Sequence, residues 1–523
     1  MRRGWLWTVA LLLGVSLCSV ADAALELPSV IGENMVLQRQ TGAAVWGWDE
    51  PGSTVAVRFR DEEATAQAGE DGRWSVRLPT GAAGGPFELQ VRGTSERVIG
   101  NVLVGEVWVA GGQSNMWWHV SKCRDVVRVV EEADCPEVRM FDANTHPRQA
   151  GWVAEEPQRT VKARWQVTSP ETVRGYPGVP YFFARELHEE LDVPVGIVHL
   201  AVPATRIEPW LSRELAGAHF PHLVGYWEMR RERYPREVEE YERALEQWQE
   251  RKAAAEQEGS DPPPEPDRPR NPSRRCPGAL FDGMVRPVAP YATRGFLWWQ
   301  GESNASEAIQ YRVLFPALIQ DWRRWWRQPD APFLFVELAE FLAEQNRPVE
   351  DAPWPALRDA QHEALRLDNT AMVCTLDILE ENEPLGNIHP RNKQLAGHRL
   401  FLAAMANVYG REDLVWSGPT FRSAEFDGGT VTVAFDHVGG GLVAGGGSEL
   451  EGFAVAGPDR EFHRANAAIV GDTVELRCEA VPQPVAARYA WANNPIGNLF
   501  NRQGLPAPPF RTDRWLLITP PVR

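Results

Sequence analysis

The sequence predicts an α/β protein in which a layered, mainly parallel sheet lies between two β domains. Three observations predict this. Residues 102–110, 193–200 and 333–338 are near-continuous apolar runs, the mark of parallel strands buried on both faces. Helical patterns at 181–191 and 311–326 fall between such runs, and alternation of the two element types builds an α/β sheet. Residues 25–100 and the stretch beyond 410 instead alternate apolar and polar in short runs punctuated by Gly and Pro, as antiparallel sheets do.

Taken in order, the chain divides as follows. Arg2 and Arg3 precede an apolar run that ends before Ala21-Asp22-Ala23, so 1–23 reads as a secretory signal peptide with export as its consequence. The run is too short for a membrane span, and no later stretch is longer. Residues 24–100 form the N-terminal β domain. Residues 101–211 and 276–409 form the α/β domain. Between its halves, 212–275 is an insertion: residues 230–258 are almost all charge, Ala and Gln, an exposed helix, and Pro262-Pro263-Pro264 then forbids helix. Residues 410–523 form the C-terminal β domain. No repeat with a period of 20–50 residues is present.

Composition narrows the partners. With 523 residues the chain holds about three or four domains at roughly 150 residues each. Its 54 Lys and Arg against 71 Asp and Glu, net −17, argue against nucleic acid or an anionic membrane. The 22 Trp suit sugar contacts as well as cores. Beyond the signal segment the cysteines are Cys123, Cys135, Cys276, Cys374 and Cys478, an odd number, so at least one is unpaired. Cys123 and Cys135 are near enough in sequence for a local bridge. There is no CxxC pair, and His219 and His222 flank a proline with no acidic partner nearby, so they read as surface and no metal is expected.

The chemistry lies where apolar strands end. The first runs into Gly111-Gly112-Gln113-Ser114-Asn115-Met116. Glycines allow a tight turn, and a serine there has an exposed hydroxyl and an N–H directed into the site, as an acyl-transfer nucleophile requires. Met116 stands where a GxSxG elbow would have glycine. A second strand delivers Trp298-Trp299-Gln300-Gly301-Glu302-Ser303-Asn304 to the same edge. Asn304 or Gln300 could donate to an oxyanion, and Glu302 could orient a histidine. Asn304-Ala305-Ser306 also spells a glycan acceptor, but a glycan would block the site. The third segment is Gly386-Asn387-Ile388-His389-Pro390-Arg391-Asn392-Lys393, with His389 ahead of a helical run.

These three segments resemble the nucleophile, third and histidine blocks of SGNH-type esterases, specifically the sialate O-acetylesterase family. Met35-Val36-Leu37-Gln38-Arg39, Phe281-Asp282-Gly283-Met284-Val285 and Arg488-Tyr489-Ala490-Trp491 extend the resemblance over about the whole mature chain. It implies a three-layer α/β/α catalytic domain and a serine esterase that removes O-acetyl groups from carbohydrates, O-acetylated sialic acids among them, with no cofactor. Ser114 would attack and His389 would act as base, with the Ser114 N–H, Ala204, Asn304 and Gln300 as oxyanion candidates. Gln113, Asn115, Trp117 and Asn387 would meet substrate.

Three departures stand out. Asn387 replaces the aspartate many bacterial members carry two residues before the histidine. Pro203-Ala204-Thr205 replaces Gly-Gly-Thr, and Pro203 has no N–H to give. Trp117 replaces an acidic residue. The negative partner of His389 would then be Glu302, preferred because it belongs to a block, or Asp377 at the end of the last apolar strand, or nothing, leaving a Ser-His dyad. A carboxylate partner would raise the histidine above about 6.5. The rival readings are a catalytically weakened carbohydrate-binding protein on this scaffold, an acetyl esterase for plant or algal polysaccharide, and a glycosidase with Glu302 and Asp377 as its carboxylate pair.

Overall fold

The computed structural model describes residues 25–143, 154, 156–348, 352–380, 383–384, 386–447 and 449–517, so the predicted signal peptide lies outside the described residues. The central element is a 17-residue strand, β1 (Glu96–Gly112). It is followed in the chain by β2 (Val138–Asp142), β3 (Trp165–Val167), β4 (Val195–Ala201), β5 (Gly295–Trp299), β6 (Phe333–Val336) and β7 (Thr370–Val373). Side by side they run β7-β6-β5-β1-β4-β2-β3. All neighbours are parallel except β2 and β3, which are antiparallel. The apolar runs of the sequence thus pair as one sheet, within a larger mixed one.

Helices cover both faces because alternate strand residues feed two separate cores. Val107, Val109, Phe296, Trp298, Phe333 and Phe335 pack with Leu318, Trp322 and Trp326 of one helix (Ala308–Trp326). Trp108, Ala110, Leu297, Trp299, Leu334 and Val336 pack instead with α1 (Gly178–Leu191) and with the helix Lys393–Asn407. The fully buried tryptophans Trp108, Trp298, Trp299, Trp322 and Trp326 belong to these cores.

The first half of β1 serves a different sheet. It pairs with Gly84–Arg92 antiparallel and with Val36–Gln38 parallel, so the boundary drawn at residue 100 falls inside one continuous strand. Arg73–Pro79 alternates exposed and buried without a break, the period-2 pattern of a half-buried strand. Beyond the last helix, two four-stranded sheets pack around Val433, Phe453, Val474, Tyr489 and Phe510. Arg358, fully buried, ties this region to the central sheet by donating to the carbonyls of Leu338, Ala339, Ala492 and Asn493.

The insertion holds a 38-residue helix, Pro221–Glu258, that buries only Leu223, Trp227 and Ala255. The proline-rich return is not helical, and the Trp248 indole donates to the Pro263 carbonyl across it. Among the described residues no helix is long and apolar enough to cross a membrane. The bridge considered between Cys123 and Cys135 is not formed, and all five described cysteines are free. The Cys123 thiol donates to the His119 carbonyl, so it is directed into its own turn.

Candidate active site

Ser114 starts a single turn, Ser114–Trp117, directly after β1. Gly112 makes the exit possible. Its φ is +140°, and a Cβ there would stand 2.2 Å from the Trp299 carbonyl oxygen of neighbouring β5, a position only glycine fills. Ser114 is half-buried. Its N–H and that of Ala204 have no protein acceptor among the described residues. Ala204 sits beyond β4, next to β1 in the sheet, with a left-handed φ of +58°, a strained conformation for alanine where the resembled family has glycine.

His389 lies in the loop before Lys393–Asn407, and the structure ties that loop to the serine turn. Asn115 Nδ2 donates to the Ile388 carbonyl at 3.0 Å, joining the residue after Ser114 to the residue before His389. The Trp118 ring stacks on the His389 ring, 4.7 Å between centroids and 19° between planes. His389 Nε2 is buried and has no protein partner. Burial, then the charges of Lys393 and Lys122, push the His389 imidazole down to about 4.

Neither sequence-proposed carboxylate bonds to His389. Asp377 is held by both guanidinium nitrogens of Arg399, at 2.6 and 2.7 Å. Glu302 Oε1 accepts from Asn115 Nδ2 at 2.6 Å, and its Oε2 is buried without a partner. Burial raises the Glu302 carboxyl above its ordinary range. The expected raised histidine is therefore a lowered one, because ammonium groups and low dielectric surround it in place of a carboxylate.

The amides are equally committed. Asn387 Nδ2 donates to the His389 carbonyl at 2.9 Å and to Glu383 at 2.6 Å, while Oδ1 accepts from the His389 N–H at 3.0 Å; it braces the loop's backbone. Gln300 Nε2 is directed at Gln113 Oε1, the Thr205 carbonyl and Asn304 Oδ1. Asn304, fully buried, donates to Glu208 and accepts from the Ile207 N–H. Gln113 braces the third-block loop through the Ser303 N–H at 3.3 Å. Trp117 is half-buried, beside His119 at 4.3 Å between centroids.

Two residues at the site, Trp118 and Lys393, carry no role in the sequence reading. Lys393 is fully buried, and its ammonium donates to Asn115 Oδ1 at 2.7 Å and to the Pro390 carbonyl at 2.6 Å. A signal was present: lysine at the first position of a helix, behind the Asn392 cap, opposes the helix dipole and calls for another reason to be there. Among the described residues no cluster could hold a metal.

Comparison with known proteins gives the site a context. The family described as carbohydrate esterase, sialic acid-specific acetylesterase, matches residues 104–255 and 274–405. The sialate O-acetylesterase of Homo sapiens is 28% identical over 432 residues, 76% of this chain and 74% of that protein. That of Mus musculus is 28% identical over 473 residues, 83% of each. A crystal structure of a carbohydrate acetylesterase from Xanthomonas citri covers 94% of this chain and 100% of its own at 35% identity, with a TM-score of 0.78.

Proposed function

Because the chain belongs to the sialic acid-specific acetylesterase family of carbohydrate esterases, and is an esterase that removes O-acetyl groups from carbohydrates, we propose that Ser114 and His389 carry out the reaction as a dyad on an SGNH-type three-layer scaffold. Ser114 Oγ attacks the acetyl carbonyl while His389 Nε2 takes its proton. The N–H groups of Ser114 and Ala204 hold the oxyanion, both being unspent. The imidazolium then returns the proton to the departing sugar oxygen. Water, deprotonated by the same nitrogen, attacks the acetyl-serine and frees acetate.

The observation that carries this reading is the buried, unpartnered His389 Nε2 in a loop bonded to the serine turn. Asn387 and Trp118 orient the imidazole in the way a third triad member would, one through the backbone and one through the ring face. At neutral pH the imidazole is uncharged and ready to accept a proton.

We further propose an O-acetylated acidic sugar as substrate. The names of the relatives support it, and so does the exposed Lys122 ammonium 5.0 Å from the Trp118 ring, a cation beside the histidine that suits a sugar carboxylate. Ser114→Ala should cut acetate release on the order of 10⁴-fold while the melting temperature holds. An undiminished rate in the folded variant would refute the assignment. Faster release from O-acetylated sialic acid than from neutral acetylated xylan supports the acidic sugar, and the reverse order opposes it.

A further inference from the structure

The three sequence blocks that meet at the site share one buried polar node, which the dyad mechanism leaves unused. Lys393 Nζ donates to Asn115 Oδ1, and Asn115 Nδ2 donates to Glu302 Oε1. The amide is oriented by its two neighbours: its acceptor side faces the ammonium and its donor side faces the carboxylate. Asn115 spends its remaining N–H on the Ile388 carbonyl, and Lys393 spends a second N–H on the Pro390 carbonyl, so both residues flanking His389 are held. The Trp299 ring lies 4.7 Å under the ammonium. Asn115, Lys393 and Glu302 thus join the nucleophile turn, the histidine loop and the third-block loop through a single side-chain chain, Lys-Asn-Glu.

We propose that this Lys393-Asn115-Glu302 relay positions Ser114 against His389, and that Lys393 is the positioning residue whose ammonium keeps His389 in its proton-accepting form in acid. The proposal rests on the dyad reading. Its physical basis is geometric. Two opposite charges sit in a dry core one amide apart, where a misplaced amide would leave both unpaired. A cation there opposes a second positive charge on the adjacent imidazole. The pattern of shifts agrees. Burial lowers Lys393 to about 7, against the pull of Glu302 and Glu383, so it is charged in the range where a free histidine would protonate. The other charges facing the node are Lys122, which lowers His389, and Glu383, which braces Asn387; the Cys123 thiol is pushed up to about 12 by burial and stays neutral.

The test is a histidine NMR titration of the full-length protein alongside the pH profile of kcat/KM. In the wild type His389 should titrate well below about 6.5. Lys393→Met should raise that midpoint by about one pH unit or more, and should lower kcat/KM near pH 4 roughly tenfold relative to its own plateau. Glu302→Gln should leave the midpoint where it is or lower it. Should Lys393→Met not fold, the Glu302→Gln/Lys393→Met double variant carries the same readout with both buried charges gone. A folded variant lacking Lys393 whose midpoint and acid limb are unmoved overturns the proposal. Persistence of acetate release in Ser114→Ala would instead sink the dyad, and the titration would still report on the relay.

Discussion

At the N-terminal entry of the parallel sheet, Glu106 of β1 accepts from Arg39 at 2.5 Å, from Arg294 at 2.7 and 3.1 Å, from Gln38 at 3.2 Å and from the Tyr409 hydroxyl at 3.0 Å. Burial pushes its carboxyl up, and the Arg294 and Arg39 guanidiniums more than reverse that, leaving it below the ordinary range. At the opposite edge, Glu302 is half-buried with its carboxyl turned inward, has one side-chain donor and an orphaned oxygen, and stays above that range. His389 Nε2 and Gln300 Oε1 are orphaned nearby. The same fold satisfies one buried carboxylate completely and leaves the other, with its neighbours, short of partners. Complete satisfaction marks a group that holds the sheet together. Shortage, and the shifts that come with it, marks groups kept available for chemistry.

The comparison breaks most readily by mutation at each end. Glu106→Ala strands two guanidiniums and should cost about 3–5 kcal/mol, read as a lowered denaturant midpoint, with kcat/KM of the folded protein unchanged. Glu302→Gln keeps an acceptor for Asn115 and should lose far less stability, while kcat/KM falls. Equal losses of stability at both positions would erase the distinction.

A smaller effect sharpens it. His389 and His119 are both lowered to about 4, in each case chiefly by burial. Between about 6.5 and 4 the unfolded chain therefore binds protons that the folded one does not, so stability should fall as the pH drops through that window, by an amount on the order of a few kcal/mol. His389→Asn should flatten part of that decline, as followed by thermal unfolding at several pH values. A decline of the same slope in the variant would mean that the imidazole is not dry.

The smallest effect is expected far from both ends. Deleting residues 236–270, which include most of a helix burying only three side chains, should change stability by less than about 1 kcal/mol and leave a soluble, cooperatively melting protein with altered substrate preference. Aggregation of the deletion protein would place the arm in the core.

Much of this was legible in the sequence because the signals are local. The apolar run ending in Gly111-Gly112 announced a strand with a tight exit, and the three blocks announced which residues meet at the sheet's edge. What was not legible depends on partners distant in the chain. Nothing near Asp377 reveals that Arg399 captures it, and nothing near Asn387 reveals that Glu383 and the histidine's own backbone consume its amide. The stack of Trp118 on His389 joins positions far apart in sequence and follows no periodicity. The length of β1 was underestimated because residues 96–101 are mostly exposed, where the rest of the strand is buried throughout.

The most direct test of the central claim is to trap the acyl-enzyme. Full-length protein mixed with an O-acetylated sialic acid and quenched in acid within one turnover should carry an acetyl group on the peptide containing Ser114, detected by mass spectrometry and absent from Ser114→Ala. Wild-type protein that releases acetate while Ser114 remains unmodified at every quench time would contradict the account.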